Sequence, residues 1–279
     1  MRKYARRVAG FVAGLALAFA TLPASAQDKV KVGVFPVSSS LPYFVALELG
    51  YFKEQNIEPE MVRLIGGPPN VAAMITNQID AAAVLVTIEG MNANIKKPGV
   101  AMYISINSQN KTYQMEQFVI RKGLEAKTLA DLKGKKIMSA PGPANVTMAK
   151  AALAAAGLKE GEYTLDQLDM GQHVNAMTAG TFDAGYTLEP NASTMRKMGV
   201  ATTLEAGVIA HYVLGDPNAN AFVGGAALTS DFIKNRPDVA KRFTAAWEKA
   251  VKLINENPAE ARKHLVKNTF TPDDVVDTV

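Results

Sequence analysis

The sequence predicts an α/β protein with two lobes, each a mainly parallel sheet flanked by helices, and a ligand cleft between the lobes. Short apolar segments alternate with segments of helical pattern, which is typical of parallel sheets. One phrase also occurs twice, as NVAAMITNQIDAA at 70–82 and HVNAMTAGTFDAG at 173–185. In both copies an Asp-Ala follows six residues after the Met of Ala-Met. The elements around the two copies have the same order, so the repeat extends over a whole lobe.

The first half of the chain predicts a β-α-β-α-β unit. Its first helix ends at a glycine, which adopts the left-handed conformation at little cost. In chain order we expect strand 30–35, a loop with Ser38, Ser39, Ser40 and Pro42, a helix through 46–49 ending at Gly50, strand 60–65, loop 66–69, the phrase as a helix, and strand 81–86.

The second half predicts the same unit again. We expect strand 136–139, loop 140–143, helix 146–156 ending at Gly157, strand 163–168, a turn at Gly171, the phrase as a helix, and strand 183–187. The phrase itself is expected to serve packing, with apolar positions on the sheet and Asp80 or Asp183 at the start of a strand. Because ligands bind at the strand-end loops of open α/β sheets, two such lobes facing each other predict a cleft.

The connections predict that the chain crosses twice between the lobes. It leaves the first lobe after strand 100–106, through 107–111, and returns near 214–217 into a strand at 221–223. Lobe 1 is therefore expected at 27–110 plus 217–279, and lobe 2 at 111–216. Two crossings make a hinge that can bend.

The C-terminal part predicts helices that complete lobe 1. Segment 237–254 has a helical apolar face, and Asn257-Pro258-Ala259-Glu260 has the cap, proline and acid of a helix start. Thr271-Pro272-Asp273-Asp274 predicts one more helix start, soon followed by the last residue, Val279. We interpret this as a truncated C-terminus.

The first 26 residues have the pattern of a cleaved secretory signal peptide. Cations at positions 2, 3, 6 and 7 precede an apolar run at 8–20 and the small-residue site Ala24-Ser25-Ala26. The remaining chain has 26 basic and 26 acidic side chains, so no basic footprint indicates nucleic acid. The absence of cysteine excludes disulfides, thiolate metal sites and a lipid-carrying cysteine. We expect an unlipidated periplasmic protein.

Four motifs, in this order, resemble one bacterial family. They are LGYFKEQNIEPEMVRLIGG followed by AAMITNQIDAA, LADLKGKKIMSAPG followed by ALAAAGL, AMTAGTFDAGYTLEP, and TSDFIKNRPDVAKRF. Together they look like the sulfonate, taurine and nitrate family of substrate-binding proteins of ABC importers, related to the pyrimidine-precursor synthase-like group. The resemblance implies a two-lobed type II periplasmic binding protein, monomeric, which delivers a small solute to an ABC permease at the inner membrane.

The resemblance also implies where the solute binds. The ligand-binding residues carried over from the family are Ser38, Ser39, Ser40, Gly66, Gly67, Asn70, Thr87, Gly142, Asn145, Tyr186 and Glu189. This chain departs from the family pattern at Pro143, which occupies a usual Ser or Thr position and has neither a hydroxyl nor a backbone N–H.

The chemistry of these residues leaves the solute open. Helix N-termini and serines suit a sulfonate, nitrate or carboxylate, whereas Glu189 would suit an amine, a hydroxyl or an arginine partner. An anion such as a sulfonate, taurine or nitrate is the first expectation. The alternatives are an aromatic carboxylate or pyrimidine precursor, or a sensor subunit that reports a solute to a membrane receptor.

The motifs that would indicate catalysis are missing from the sequence. There is no Gly-x-Ser-x-Gly elbow, and His173, His211 and His264 lack the spacing of a zinc helix. We therefore expect no enzyme, no metal and no cofactor.

Overall fold

The computed structural model describes residues 26–269 and 271–279. The predicted signal peptide lies outside these residues, apart from Ala26. No helix in the described part of the chain is long and apolar enough to cross a membrane.

The first sheet combines a parallel core with antiparallel strands. Its order is β2-β1-β3-β11-β4, and β5 also pairs with β11. β1 is parallel to β2 and β3, whereas β11 is antiparallel to β3, β4 and β5. The strands are β1 (Asp28–Val34), β2 (Ile57–Arg63), β3 (Ala81–Val86), β4 (Met102–Tyr103), β5 (Asn107–Gln109) and β11 (Ala221–Leu228).

The second sheet has the same design. Its order is β10-β6-β9-β7-β8, with β7 parallel to β8 and β9, and with β6 antiparallel to β9 and β10. The strands are β6 (Glu116–Arg121), β7 (Lys136–Ser139), β8 (Thr164–Gln167), β9 (Ala184–Leu188) and β10 (Ala201–Ala206).

Helices flank both sheets, as the α/β pattern predicts. Those of the first lobe are α1 (Leu41–Glu48), α2 (Tyr51–Glu54), α3 (Gly67–Ile75), α4 (Thr87–Lys96), α8 (Ser230–Asn235), α9 (Pro237–Glu256) and α10 (Pro258–Ala261). Those of the second are α5 (Pro143–Ala155), α6 (His173–Thr178) and α7 (Asn191–Lys197). The long helix α9 buries Phe243 and Trp247 in the core of the first lobe, where Trp247 Nε1 donates a 3.0 Å hydrogen bond to Ser105 Oγ.

The sheets are mixed, so the expectation of mainly parallel sheets needs one correction. Each predicted β-α-β-α-β unit forms a three-stranded parallel core, but strands next to the crossings add antiparallel edges. β11 enters the first sheet from the second lobe, from the end where the parallel strands finish, and therefore runs the opposite way. Residues 107–109, predicted as part of the crossing, form β5, which pairs antiparallel with β11. The residue bounds of the two lobes stay a prediction.

Two helices begin earlier than predicted, and the C-terminal segment is not an α-helix. α3 and α5 begin at Gly67 and Pro143 because prolines at the first helical positions need no N–H partner. Residues 271–279 form turns and a 3-10 helix at Val276–Thr278. The neighbouring residues Val275 and Val276 are both buried, and the carbonyl of Thr278 accepts a 2.8 Å bond from Ser193 Oγ. These contacts hold the segment in place without an α-helix.

The repeated phrase performs the same structural task in both lobes. Met74 and Met177 are each 1% exposed, and each following aspartate ties the phrase to the first parallel strand of its lobe. Asp80 Oδ2 accepts a 2.9 Å bond from the N–H of Lys31, and Asp183 Oδ2 accepts a 3.0 Å bond from the N–H of Lys136. That bond holds the pKa of Asp183 below its ordinary value, with Arg121 acting in the same direction. The phrase is therefore a packing and strand-capping device.

Because each aspartate satisfies a strand N–H, we expect Asp80→Ala and Asp183→Ala each to lower the free energy of unfolding by about 1–2 kcal/mol. The asparagine variants keep an acceptor oxygen and should recover part of the loss. Urea unfolding measures both effects, with Asp166→Ala, an exposed position in β8, as the matched control. Losses no larger than that of the control would contradict the capping role.

Candidate functional site

Two adjacent cavities lie between the sheets. Their volumes are about 220 Å³ and about 40 Å³, and they share the lining residues Val86, Glu116, Asn145 and Val223. These residues come from β3, β6, α5 and β11, so both lobes contribute to the lining. The site is therefore an interlobe cleft at the ends of the strands, where open α/β sheets bind ligands.

The lining of the cleft is mainly apolar. Ile88, Met148, Ile209 and Phe222 belong to the larger cavity, and Phe35, Met115 and Leu188 belong to the smaller one. Among the described residues, no lysine, arginine or histidine lines either cavity. Recognition in this cleft depends on apolar contact and on a few polar groups.

Glu116 is the acidic group of the cleft. It is 6% exposed, and burial raises the pKa of its carboxyl to about 7 from an ordinary 4.5. The hydrogen bond from Tyr186 Oη to Glu116 Oε2, 2.5 Å long, acts in the opposite direction. A carboxyl of this kind, with no cation in the lining, can accept a hydrogen bond or a positive charge from a ligand.

Asn145 is the amide of the cleft, and the structure reveals that it belongs to a second repeat. Gly67-Pro68-Pro69-Asn70 and Gly142-Pro143-Ala144-Asn145 share the pattern Gly-Pro-x-Asn at the starts of α3 and α5. Asn70 Nδ2 donates to the carbonyl of Gly66 at 2.8 Å, and Asn145 Nδ2 donates to that of Pro141 at 2.6 Å. The two lobes thus present matched helix starts, but only Asn145 lines the cavities.

The three predicted serines have different environments. Ser38 and Ser39 are half-buried, and each hydroxyl lies 3.3 Å from the sulfur of Met115. Ser39 lines the smaller cavity. Ser40 is fully buried and donates a 2.6 Å bond to the carbonyl of Phe35, so its hydroxyl supports the turn before α1.

The predicted glycines and Thr87 lie at helix starts. Gly66 precedes α3 and Gly67 begins it, while Gly142 precedes α5 and donates its N–H to Gln167 Oε1 at 2.9 Å. Thr87 begins α4 and lines the larger cavity, and its buried hydroxyl has no hydrogen-bond partner in the described part of the chain. Asn70 lies in the first turn of α3 and is fully buried. Of the eleven predicted residues, Ser39, Thr87 and Asn145 line the cavities.

Tyr186 and Glu189 lie behind the cleft. Tyr186 is fully buried against Phe118, and Glu189 is 3% exposed. Glu189 Oε1 accepts bonds from Gln117 Nε2 at 2.5 Å and from the guanidinium of Arg196 at 3.2 Å. Its other oxygen accepts from the N–H of Ser193 at 3.1 Å, in the first turn of α7. The carboxylate expected to meet an amine is thus engaged in an internal ion pair.

Two acidic residues near the cleft have no counterpart among the predicted site residues. Glu116 begins β6, and Glu89 lies in the first turn of α4 with its carboxylate between α3 and α5. The run Glu116 to Arg121 has the apolar centre of a strand that begins with an acid, and this pattern was the available signal for Glu116. The position of Glu89 depends on α5, which lies 55 residues later at Ala144.

The comparison with protein families decides the relationship. The model of the family described as "NMT1/THI5 like" matches residues 38–261. This chain belongs to the NMT1/THI5-like family. Among curated relatives it is 23% identical to "Putative binding protein YtlA" of Bacillus subtilis (strain 168), over all of this chain and 83% of that protein. It is also 23% identical to "Putative binding protein BAB2_1146" of Brucella abortus (strain 2308), over 78% of this chain and 64% of that protein.

Solved structures of the same fold agree with the family. The alkanesulfonate-binding protein SsuA from Xanthomonas axonopodis pv. citri, bound to MOPS, is similar with a TM-score of 0.71 and 21% identity, over 91% of this chain and 84% of that one. The periplasmic nitrate-binding protein NrtA from Synechocystis PCC 6803 has a TM-score of 0.71 and 15% identity, over 90% and 69%. The family match confirms the expected family, and the solved structures confirm the expected periplasmic binding-protein fold. At 21% and 15% identity, the solved structures establish the fold alone.

Because burial raises the pKa of Glu116, its contribution to stability depends on pH. The folded chain keeps a proton that the unfolded chain releases between about pH 4.5 and 7, so stability falls as pH rises through this window. We expect Glu116→Gln, which stays neutral, to gain stability over the wild type between pH 5 and pH 8. The gain should be on the order of 3 kcal/mol at most.

Urea unfolding at the two pH values measures this difference. Glu125→Gln, at an exposed position, is the matched control and should show the same offset at both pH values. An offset for Glu116→Gln that does not change with pH would show that the carboxyl is not protonated in the fold.

Proposed function

We propose that this protein is the periplasmic solute-binding component of an ABC importer. It captures a small organic solute between its lobes and delivers it to the permease at the inner membrane, without catalysing a reaction. The family, the binding-protein fold and the interlobe cleft support this function. The signal-peptide pattern of residues 1–26 supports the periplasmic location.

The proposed lobes are 27–110 with 217–279, and 111–216, joined by two crossings that touch each other. The N–H of Lys111 donates a 3.0 Å bond to the carbonyl of Pro217, and Asn110 Nδ2 donates to Asn220 Oδ1 at 3.3 Å. Gly207 lies against the first crossing, where a Cβ would be 2.5 Å from the nitrogen of Lys111. Two adjacent crossings form one hinge axis, so closure over a solute would bend both together.

Glu116 carries the proposal for the solute class. An inorganic or sulfonate anion in the larger cavity would meet this carboxyl and an apolar wall, with no cation in the described lining to balance its charge. A solute with an apolar body and an amine or N–H donor would satisfy Glu116 and Asn145 together. We therefore favour an amine-bearing solute over a plain sulfonate or nitrate.

A melting-temperature panel on the chain from Gln27 tests the function. The panel contains aminopyrimidines, alkylamines, taurine, alkyl sulfonates and sodium nitrate. A solute at about a thousand times its Kd should stabilise the protein by roughly 4 kcal/mol, which is several degrees for a chain of this size. We expect the amine-bearing class to give this shift.

Variants assign the shift to the cleft. Glu116→Gln and Asn145→Ala should weaken the solute response at least tenfold in Kd, while Glu125→Gln leaves it unchanged. A response to alkyl sulfonates or nitrate with none to amines would reject the proposed class. Turnover of a bound solute would reject the binding-protein function.

A further inference from the structure

The starts of three helices converge on the carboxylate of Glu89. Glu89 lies in the first turn of α4 and is 9% exposed. Its Oε1 is 3.5 Å from the backbone nitrogen of Ala144 at the start of α5, in the second lobe. A Cβ placed on Gly67, at the start of α3, would lie 1.2 Å from Glu89 Oε2. The carboxylate thus occupies the place that any other side chain at 67 would fill.

This position attracts negative charge. Each helix N-terminus carries a partial positive charge, and α3, α4 and α5 are nine, ten and thirteen residues long. The starts of α3 and α5 are also poor in donors, because Pro68, Pro69 and Pro143 have no N–H. An anion here is held more by the combined helix dipoles than by hydrogen bonds.

Glu89 does more than a first-turn acid ordinarily does. A glutamate at this helical position can reach back to the N–H that precedes its own helix. Its one hydrogen bond in the described part of the chain instead goes to the other lobe, and Oε2 is buried without a partner. Burial raises the pKa of this carboxyl above its ordinary value. The acid is therefore directed, at a desolvation cost, into the space between α3 and α5.

We propose that Glu89 is a specificity-determining residue that fills an anion seat between the lobes. We define the anion seat by Gly67, Glu89, Gly142 and Ala144. Its own carboxylate occupies the seat, so an external oxyanion such as nitrate or a sulfonate is excluded from it. The inference rests on the proposed solute capture in the neighbouring cleft, and it adds Glu89 to Glu116 as a side chain that disfavours anionic solutes.

Removal of the carboxylate should open the seat to small oxyanions. We compare wild type, Glu89→Ala and Glu89→Gln in sodium nitrate, sodium methanesulfonate and sodium chloride at equal ionic strength, by melting temperature and titration calorimetry. We expect Glu89→Ala to show a saturable response to nitrate or methanesulfonate at least tenfold stronger than that of wild type. Glu89→Gln fills the same space without a charge. Its response to nitrate or methanesulfonate should therefore be no larger than its response to chloride.

Two results would overturn the proposal. In the first, folded Glu89→Ala responds to nitrate and methanesulfonate no more than to chloride. In the second, the wild type already shows the saturable response to nitrate or methanesulfonate that is expected of Glu89→Ala. If Glu89→Ala is unfolded as purified, its refolding is compared in nitrate and in chloride. Recovery in nitrate alone supports the seat, and recovery in neither salt, or equally in both, rejects it.

The outcome is separable from that of the solute panel. If the wild type binds an amine and Glu89→Ala shows no specific response to nitrate or methanesulfonate, solute capture is supported and the anion seat is rejected. If the wild type binds no solute and Glu89→Ala gains nitrate binding, the anion seat is supported and the proposed function is rejected.

Discussion

The parallel pairing within each lobe determines where the functional groups of this protein lie. Parallel neighbours such as β1 and β3, or β7 and β9, require crossover connections, which here contain helices. Each such helix therefore starts at the carboxyl edge of its sheet. Because both lobes obey this rule and face each other, the starts of α3 and α4 come close to the start of α5, and the cleft lies next to them.

Three buried glutamates near the cleft have different electrostatic environments. Glu189 is paired with Arg196 and held by Gln117 and Ser193, so its charge is balanced inside the second lobe. Glu116 faces an apolar cavity, accepts a hydrogen bond from Tyr186 and has no cationic partner in the described cavity lining, and burial raises its pKa to about 7. Glu89 lies among helix starts with one long hydrogen bond. The same residue type is thus charge-balanced, exposed to a cavity or inserted between helix starts according to its partners.

Local rules account for much of the fold that sequence reasoning predicts. The strands 81–86 and 136–139 match the structure at both ends, because their apolar residues, all of 81–86 and the pair Ile137-Met138, are bounded by polar or turn residues. Sequence reasoning puts the starts of α3 and α5 three residues too late, because prolines are also typical of loops. The antiparallel strands β5, β6 and β10 were not predicted, since their pairing depends on distant segments.

The sequence by itself determined the two-lobed α/β plan, because the repeated phrase and the alternation of strands and helices are written in local patterns. It also predicted cleft residues where helix starts define them, such as Asn145 and Thr87. Only the tertiary structure decided which acids face the cleft. Glu116 and Tyr186 are 70 residues apart, and Glu89 and Ala144 are 55 apart. Burial and charge balance arise from such distant contacts, and no local pattern encodes them.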